Sequence, residues 1–296
     1  MALRDIRQRI RGVMSTQKIT KGMKMISQIR LQKSERQAVS GRPYAGAVAS
    51  LLARVGSAMS DEERSRFPLL NPREVKKVLV MVVTSDRGLC GNLNSGLLRK
   101  TLQQIIEWKT GGKEVSVIAI GTKGYLALRR QGLHLRNHFT HIPSPPTRSL
   151  AELLVEECLK AFDGGDADEV VIVYNKFISV SKHEVTFQRF LPAVVEGGGE
   201  SAAGSEEGYT LPEFIYEPGP AAILGRLIPL YMEVQMLQIL RDAAASEFAA
   251  RMMAMDQATT NADRMIHDLT LKFNKARQSA ITTEIIEVVS GAEALS

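Results

Sequence analysis

The sequence predicts an α/β protein with long helices: an antiparallel two-helix coiled coil built from the N- and C-terminal segments, with a Rossmann-like α/β domain between them. Three observations carry this. Residues 3–40 space their apolar side chains by threes and fours, residues 226–290 contain no glycine, and between about 75 and 192 short apolar runs alternate with helical patterns. The chain of 296 residues then divides into an N-terminal helical segment (1–60), an α/β domain (75–192), a loop region (193–220) and a C-terminal helical segment (221–296).

The first helix reads from residue 3 to about 40. Ile6, Ile10, Val13, Ile19, Met23, Ile26 and Ile29 mark its stripe, because steps of three and four stay on one face of a helix. Pro43 predicts a bend or interruption, followed by a second helix from Tyr44 to about Met59 and a linker over 61–72 with Pro68, Asn71 and Pro72. Val78 to Val83 is a continuous apolar run, the mark of a strand buried on both faces. Helix 95–108, strand 115–120, helix 123–131, helix 149–162 and strands 170–174 and 184–190 complete a largely parallel sheet with its crossovers. Residues 193–210, with GGGESAAGSEEG, read as an acidic mobile loop. From Gly225 to Gly291 the only helix breaker is Pro229. A helix of that length spans on the order of 100 Å. Ala262, Met265, Leu269, Phe273, Ala276 and Ala280 give it an apolar stripe. Two long striped helices in one chain bury those stripes most simply against each other, which makes a shaft.

Composition narrows the function. Apolar residues are 44% and charged residues 24%, an ordinary globular balance, while aromatics are 5% against 12 methionines, a palette suited to helix packing. Two cysteines, Cys90 and Cys158, exclude a disulfide scaffold and read as small buried hydrophobes. The longest apolar run, six residues, is too short to span a membrane. The N-terminus lacks the apolar core of a secretory signal. It is Arg-rich, as a mitochondrial transit peptide is, but Asp5 and the helical pattern that begins at once favour a structured start. The net charge of +6 is concentrated: residues 1–42 hold eleven Lys/Arg against Asp5 and Glu35, a net of +9, which leaves −3 for the remaining 254. Such a segment fits an acidic partner, nucleic acid being the obvious one by charge alone, or a solvated helix face.

No constellation points to bond chemistry. Ser85–Gly96 follows a strand and opens a helix, where a phosphate loop would lie, but fits neither GxxxxGK[ST] nor GxGxxG. It reads as a structural turn. His134, His138 and His141 alternate as in a strand and lack a completing carboxylate or thiol nearby, so no metal site is expected. Glu156 and Glu157 read as a solvated helix face. Near the C-terminus, Asn274, Lys275, Arg277, Gln278, Thr282, Thr283 and Glu284 form a polar cluster, either solvent-exposed or a contact surface that must not bind too tightly. The expected inventory is therefore no catalytic residue, no cofactor and no metal.

Three separated blocks carry a resemblance: RQRIRGVMSTQKITKGMKMIS at 7–27, TSDRGLCGNLNSG at 84–96, and the run from ASEFAARMMAMDQ to VVSGAEAL at 245–295. In this order they resemble the gamma subunit of F-type ATP synthase. The resemblance starts within the first residues, leaving no room for a transit peptide, which favours a bacterial-type protein. It implies a non-catalytic rotor shaft that couples proton-driven rotation of the membrane c ring to ATP synthesis, or the reverse hydrolysis, at the beta subunits. Implied partners are alpha, beta, epsilon and the c ring, with no nucleic acid and no membrane span of its own. The implied place is peripheral, on the cytoplasmic side of the inner (plasma) membrane. Residue by residue it implies that Met23, Lys24 and Arg251 lie at a coupling contact with an acidic beta loop. Arg277, Gln278, Thr282 and Glu284 meet the catch loops of the alpha–beta ring. Tyr216 and Glu217 belong to the foot on the c ring, so that 193–220 becomes a loop and foot region. Cys90 lies in the general family motif and Cys158 does not complete the regulatory pair of thylakoid members, so redox control is not expected. The competing reading from another class is a basic coiled-coil nucleic-acid-binding protein with a Rossmann-like module; a steep salt dependence on a phosphate polymer would mark it.

Overall fold

The computed structural model describes residues 3–60, 62–63, 66–71, 73–193, 216–217 and 219–290, and the backbone alone of 291–293. Apart from Ala193, the acidic loop expected over 193–210 lies outside the described residues. The chain forms two compact units, one of residues 1–29 with 251–296, the other of residues 30–250.

The larger unit holds a five-stranded sheet in the order β3-β2-β1-β4-β5. Its strands are β1 (Lys77–Val83), β2 (Glu114–Ile120), β3 (Leu135–Phe139), β4 (Glu169–Ser179) and β5 (Lys182–Leu191). Between them run α2 (Leu93–Thr110), α3 (Thr122–Arg130) and α4 (Arg148–Asp163). Four strands are parallel. β5 pairs with β4 antiparallel from Val170↔Leu191 to Ser179↔Lys182. Two residues separate β4 from β5, a hairpin-length link, whereas parallel pairing needs a long crossover. The apolar run of β1 divides by face, as a strand of period two must. Leu79, Met81 and Val83 pack with α4 residues such as Leu154 and Phe162 and with Val48, Leu52, Leu224, Leu227 and Met232 of the long helices. Val78, Val80 and Val82 pack with Leu97 and Ile105 of α2 and Leu128 of α3. At the start of α4 the Thr147 hydroxyl accepts the Leu150 N–H, a side-chain cap.

The helix α1 (Leu3–Ser57) is continuous through Pro43. The expected interruption there does not occur. A proline inside a helix costs ~3 kcal/mol. Ala38, Ala45, Val48, Leu52 and Val55 on either side of it are buried, and each large aliphatic side chain recovers ~1.5–3 kcal/mol. Burial wins. α1 is also pinned beside the proline, where Arg42 Nη2 donates to Asp242 Oδ1 at 3.0 Å and to the Phe177 carbonyl at 2.5 Å.

The helix α5 (Pro220–Glu293) runs unbroken through Pro229. By length and composition α5 contains one stretch apolar enough to cross a membrane, with a mean hydropathy of 1.2. Yet Leu224, Leu227, Ile228, Met232, Met236, Ile239 and Leu240 are buried in the protein's own core.

In the smaller unit the ends of α1 and α5 pair antiparallel. Gln17 bonds to Asp263, Thr20 to Thr259 and Lys24 to Asp256, so one helix ascends seven residues as the other descends seven. The seam differs from the expected stripe. Ile19, Ile26 and Ile29 are 60%, 56% and 68% exposed, and Met265 is 50% exposed. Buried and half-buried positions recur on α1 at 6, 10, 13, 17, 20, 24 and 27, in alternating fours and threes, and on α5 at 255, 259, 262, 266, 269, 273, 276 and 280. That is a heptad repeat, the pattern of a left-handed coiled coil. Gln17, Thr20, Lys24 and Ser27 occupy its middle, so the apolar criterion picked the neighbouring isoleucines.

Candidate functional site

The residues expected at the coupling level, Met23, Lys24 and Arg251, all lie in the smaller unit. Met23 is half-buried and its carbonyl accepts the Ser27 hydroxyl at 2.7 Å. Arg251 is buried at 7% exposure. The Lys24 ammonium lies 2.5 Å from Asp256 Oδ1, with side chains 37% and 51% exposed. The neighbouring rungs are the Thr20–Thr259 hydroxyl pair at 2.8 Å and the Gln17 amide donating to Asp263. Below them the Arg7 guanidinium sits 5.4 Å from the centroid of the Phe273 ring. Asp256, Asp263, Thr20 and Thr259 did not stand out in the sequence. Their only signal is the heptad phase, which polar residues at seam positions conceal.

Arg277, Gln278, Thr282 and Glu284 are all exposed. The Thr282 hydroxyl donates to the Gln278 carbonyl at 2.9 Å, the four-residue stacking their spacing dictates. In the seam's register the first described residue of α1, Leu3, falls opposite residue 277, so Gln278, Thr282 and Glu284 lie past the last rung that the described part of α1 supplies. Among them Ile281, Ile285, Ile286, Val288 and Val289 are 47–71% exposed. At 100° per residue these five side chains fall within about 160° of the helix, with Gln278 and Thr282 interleaved among them and Glu284 outside that arc.

In the larger unit Tyr216 is half-buried against the core, and Glu217 is exposed. Glu217 lines a groove of about 370 Å³ with Ala222, Ile223, Arg226, Leu227 and Leu230. The coupling and catch-loop residues thus belong to the smaller unit and the foot residues to the larger one.

The loop after β1 ties its own polar groups together. The Asp86 carboxylate accepts the Thr122 N–H and hydroxyl at 2.9 and 2.7 Å, and the N–H groups of His141 and Ile142 at 3.1 and 2.7 Å. Burial pushes its pKa up, but these donors outweigh burial and hold it below the ordinary value. A lowered folded pKa gives stability that is present above the unfolded value and lost as pH falls through the folded one. Asp86→Ala should cost roughly 2 kcal/mol near neutrality, by urea unfolding, with the difference from wild type shrinking below about pH 4. An equal loss at pH 3 and pH 7 would refute this account.

Ser85 N–H donates to Asn94 Oδ1, and the Asn94 amide donates to Ser85 Oγ at 2.7 Å and Cys90 Sγ at 3.3 Å. Both cysteines are buried and free. Burial, aided by Glu157, pushes the Cys158 thiol well above its ordinary range, so it stays protonated and unreactive. His138 stacks on Tyr125 at 4.1 Å. Among the described residues no three His, Cys, Asp or Glu side chains converge on a metal-sized site. Glu156 and Glu157 are not merely solvated: Lys160 pairs with both, and the Asn137 amide donates to Glu157.

A family model described as ATP synthase matches residues 2–295. The chain is similar to the ATP synthase gamma chain of Geobacter sp. strain M21, 40% identical over 293 residues that cover 99% of this chain and 98% of that one. The same protein of Chlorobaculum parvum is 40% identical over 302 residues, covering 99% and 98%. Among solved structures, a chain of the Euglena gracilis mitochondrial ATP synthase (OSCP/F1/c-ring) superposes with a TM-score of 0.69 at 18% identity, covering 99% of this chain and 94% of that one. A chain of the Tetrahymena thermophila mitochondrial ATP synthase central stalk and c ring superposes at 0.61 with 23% identity, covering 81% and 99%. At those identities the structural likeness speaks to the fold.

Proposed function

The chain belongs to the ATP synthase gamma chain family, and we propose that it is the rotor shaft of a proton-translocating F-type ATP synthase. One observation carries the reading: about 40% identity to gamma chains along virtually the whole of both sequences. The antiparallel pairing of the two chain ends supplies what a shaft needs. Rotation enters at the foot, where Tyr216 and Glu217 meet the c ring together with epsilon. It leaves at the paired helices, whose exposed polar and apolar positions meet alpha and beta in turn. The beta subunits do the bond chemistry, and this chain has no catalytic residue or cofactor of its own. Met23, Lys24 and Arg251 form the level that passes an acidic beta loop. Exposed ion pairs of ~0–1 kcal/mol suit that role, since they are made and broken at every step. The complex is membrane-associated, and we place this chain on the cytoplasmic side of a bacterial inner membrane. The cationic N-terminal helix thus has a protein partner, and the nucleic-acid reading is not favoured.

Affinity purification through a tag on this chain tests the proposal. Alpha, beta and epsilon should co-elute in an assembly that hydrolyses ATP. Elution without them, with salt-sensitive retention on a phosphate polymer, would overturn it.

The exposed C-terminal stretch of α5 gives a sharper expectation. Arg277 and Thr282 lie about 140° apart around the helix, so the catch-loop set wraps the shaft. Gln278→Ala, Thr282→Ala and Glu284→Ala remove no seam packing. Each should leave assembly intact and lower ATPase turnover by roughly three- to tenfold, the worth of one interfacial hydrogen bond. Wild-type turnover in all three reduces the set to solvated surface, and failed assembly makes it a docking site.

A further inference from the structure

The geometry points to Asp256 as a positioning residue that competes with the stator for the coupling lysine. This rests on the reading above that Lys24 meets an acidic surface of the catalytic head. The residues themselves supply the rest. Lys24 does not extend freely into solvent: it occupies a seam position of the heptad and donates to Asp256 at 2.5 Å. Neither partner is sealed in, with side chains 37% and 51% exposed, so water and a passing carboxylate can both reach the pair. The surrounding rungs are Thr20–Thr259 and Gln17–Asp263, polar contacts in a stretch where a coiled coil ordinarily places apolar side chains. Neighbouring cations such as Lys18 and Lys21 are exposed, so the acid takes the one lysine that faces the seam.

An ammonium with an acid of its own exchanges one carboxylate for another when the stator passes. Each exchange strips Asp256 of its cation, so the ammonium never gains the full energy of a new pair. Asp256 therefore lowers the net attraction between Lys24 and the stator and keeps that contact brief. Without it, Lys24 would hold the passing carboxylate longer, and each turn would stall at that angle. Because both pairs are exposed, the stall should weaken with salt.

The test uses the assembled complex, with ATP hydrolysis measured at about 0.05 M and about 0.5 M salt. Asp256→Asn should assemble normally and turn over roughly threefold slower at low salt, the factor set by one exposed ion pair, with the deficit closing at high salt. Asp256→Glu should restore the wild-type rate. The double variant Asp256→Asn with Lys24→Met should behave as Lys24→Met alone, because an acid without its cation has nothing to release. A deficit that persists at high salt, or that adds to the effect of Lys24→Met, would assign Asp256 a packing role and overturn the inference. So would a wild-type rate for Asp256→Asn at both salt levels. Lys24→Met alone separates the two claims. If it leaves rate and salt profile unchanged, the coupling contact itself fails and the inference falls with it. If it changes them while Asp256→Asn is silent, only the inference fails.

Discussion

Arg42→Met should destabilise the chain by about 3 kcal/mol at neutral pH, the cost of leaving a buried carboxylate without its cation. Arg42 ties α1, α5 and the sheet together in the larger unit. Its Nη2 donates to the Asp242 carboxylate at 3.0 Å and to the Phe177 carbonyl of β4 at 2.5 Å. Asp242 is only 3% exposed. Burial raises its pKa above the ordinary value, and Arg42, with help from Gln238 and Lys176, pulls it only part of the way back. The folded state therefore binds a proton more readily than the unfolded one, and stability falls as pH climbs from the unfolded pKa through the folded value. Without the guanidinium the folded value rises further, and this window widens upward. The loss in Arg42→Met should then be smaller at pH 5 than at pH 7, because a protonated Asp242 needs no cation. Arg42→Lys keeps the charge and, since one nitrogen serves both acceptors, gives up only reach and hydrogen-bond geometry, so a smaller loss is expected. Urea unfolding of the full chain at both pH values checks this. Equal losses at pH 5 and pH 7 would show that Arg42 acts through packing of its stem.

The inner strands were legible in the sequence because β1, β2 and the first half of β4 are apolar on both faces, whereas the edge strand β3, half-buried and exposed by turns, was signalled only by the alternation of its histidines. Val78–Val83 could be read directly, and its alternate residues divide between two cores. What failed is instructive. β4 extends to Ser179, five residues beyond the expected end, because its second half pairs only with β5 and tolerates Asn175, Lys176 and Ser179. The antiparallel direction of β5 depends on connection length rather than on hydrophobicity. The coiled coil was legible in kind but not in phase. The true repeat on α1 passes through Gln17, Thr20, Lys24 and Ser27, whereas Ile19, Ile26 and Ile29 point outward. A reading that equates apolar with buried inverts this stretch, since a shaft that meets other subunits shows apolar side chains outside and ties itself with polar ones inside. That inversion is why Lys24 and Met23 could be named from family resemblance while Asp256, which holds Lys24, could not be named from either source.

Gly121→Ala should cost about 4 kcal/mol, more than alanine at any other described glycine, from a strained backbone and a clash with main chain. Gly121 ends β2 and opens α3 with φ of +90°, a region L side chains rarely enter. Its amide donates to the Phe139 carbonyl of β3 at 2.8 Å. A Cβ there would lie 2.2 Å from the Thr84 carbonyl oxygen and 2.7 Å from its carbon. Those atoms belong to the end of β1, whose Thr84 N–H and hydroxyl both donate to the Ile120 carbonyl at 2.8 Å. The clash can be relieved only by parting the two central strands. Gly124→Ala provides the contrast. Its Cβ would meet the Thr84 side chain, at 2.6 Å from Oγ1 and 2.9 Å from Cγ2, and no main-chain atom, so a shift of that side chain can ease the clash. It would give up the bond from the Gly124 N–H to Thr84 Oγ1, a loss of about 1–2 kcal/mol. Urea unfolding should rank Gly121→Ala well below Gly124→Ala, and a Gly121→Ala chain within 1 kcal/mol of wild type would refute the argument. Assembly should follow stability here. The core beneath β1 is shared with Leu52 of α1 and Leu224 of α5, so a sheet that parts also loosens both long helices. Gly121→Ala should therefore lower the yield of complex while the complexes that form turn over normally, the opposite of what changes at Gln278, Thr282 or Glu284 should do.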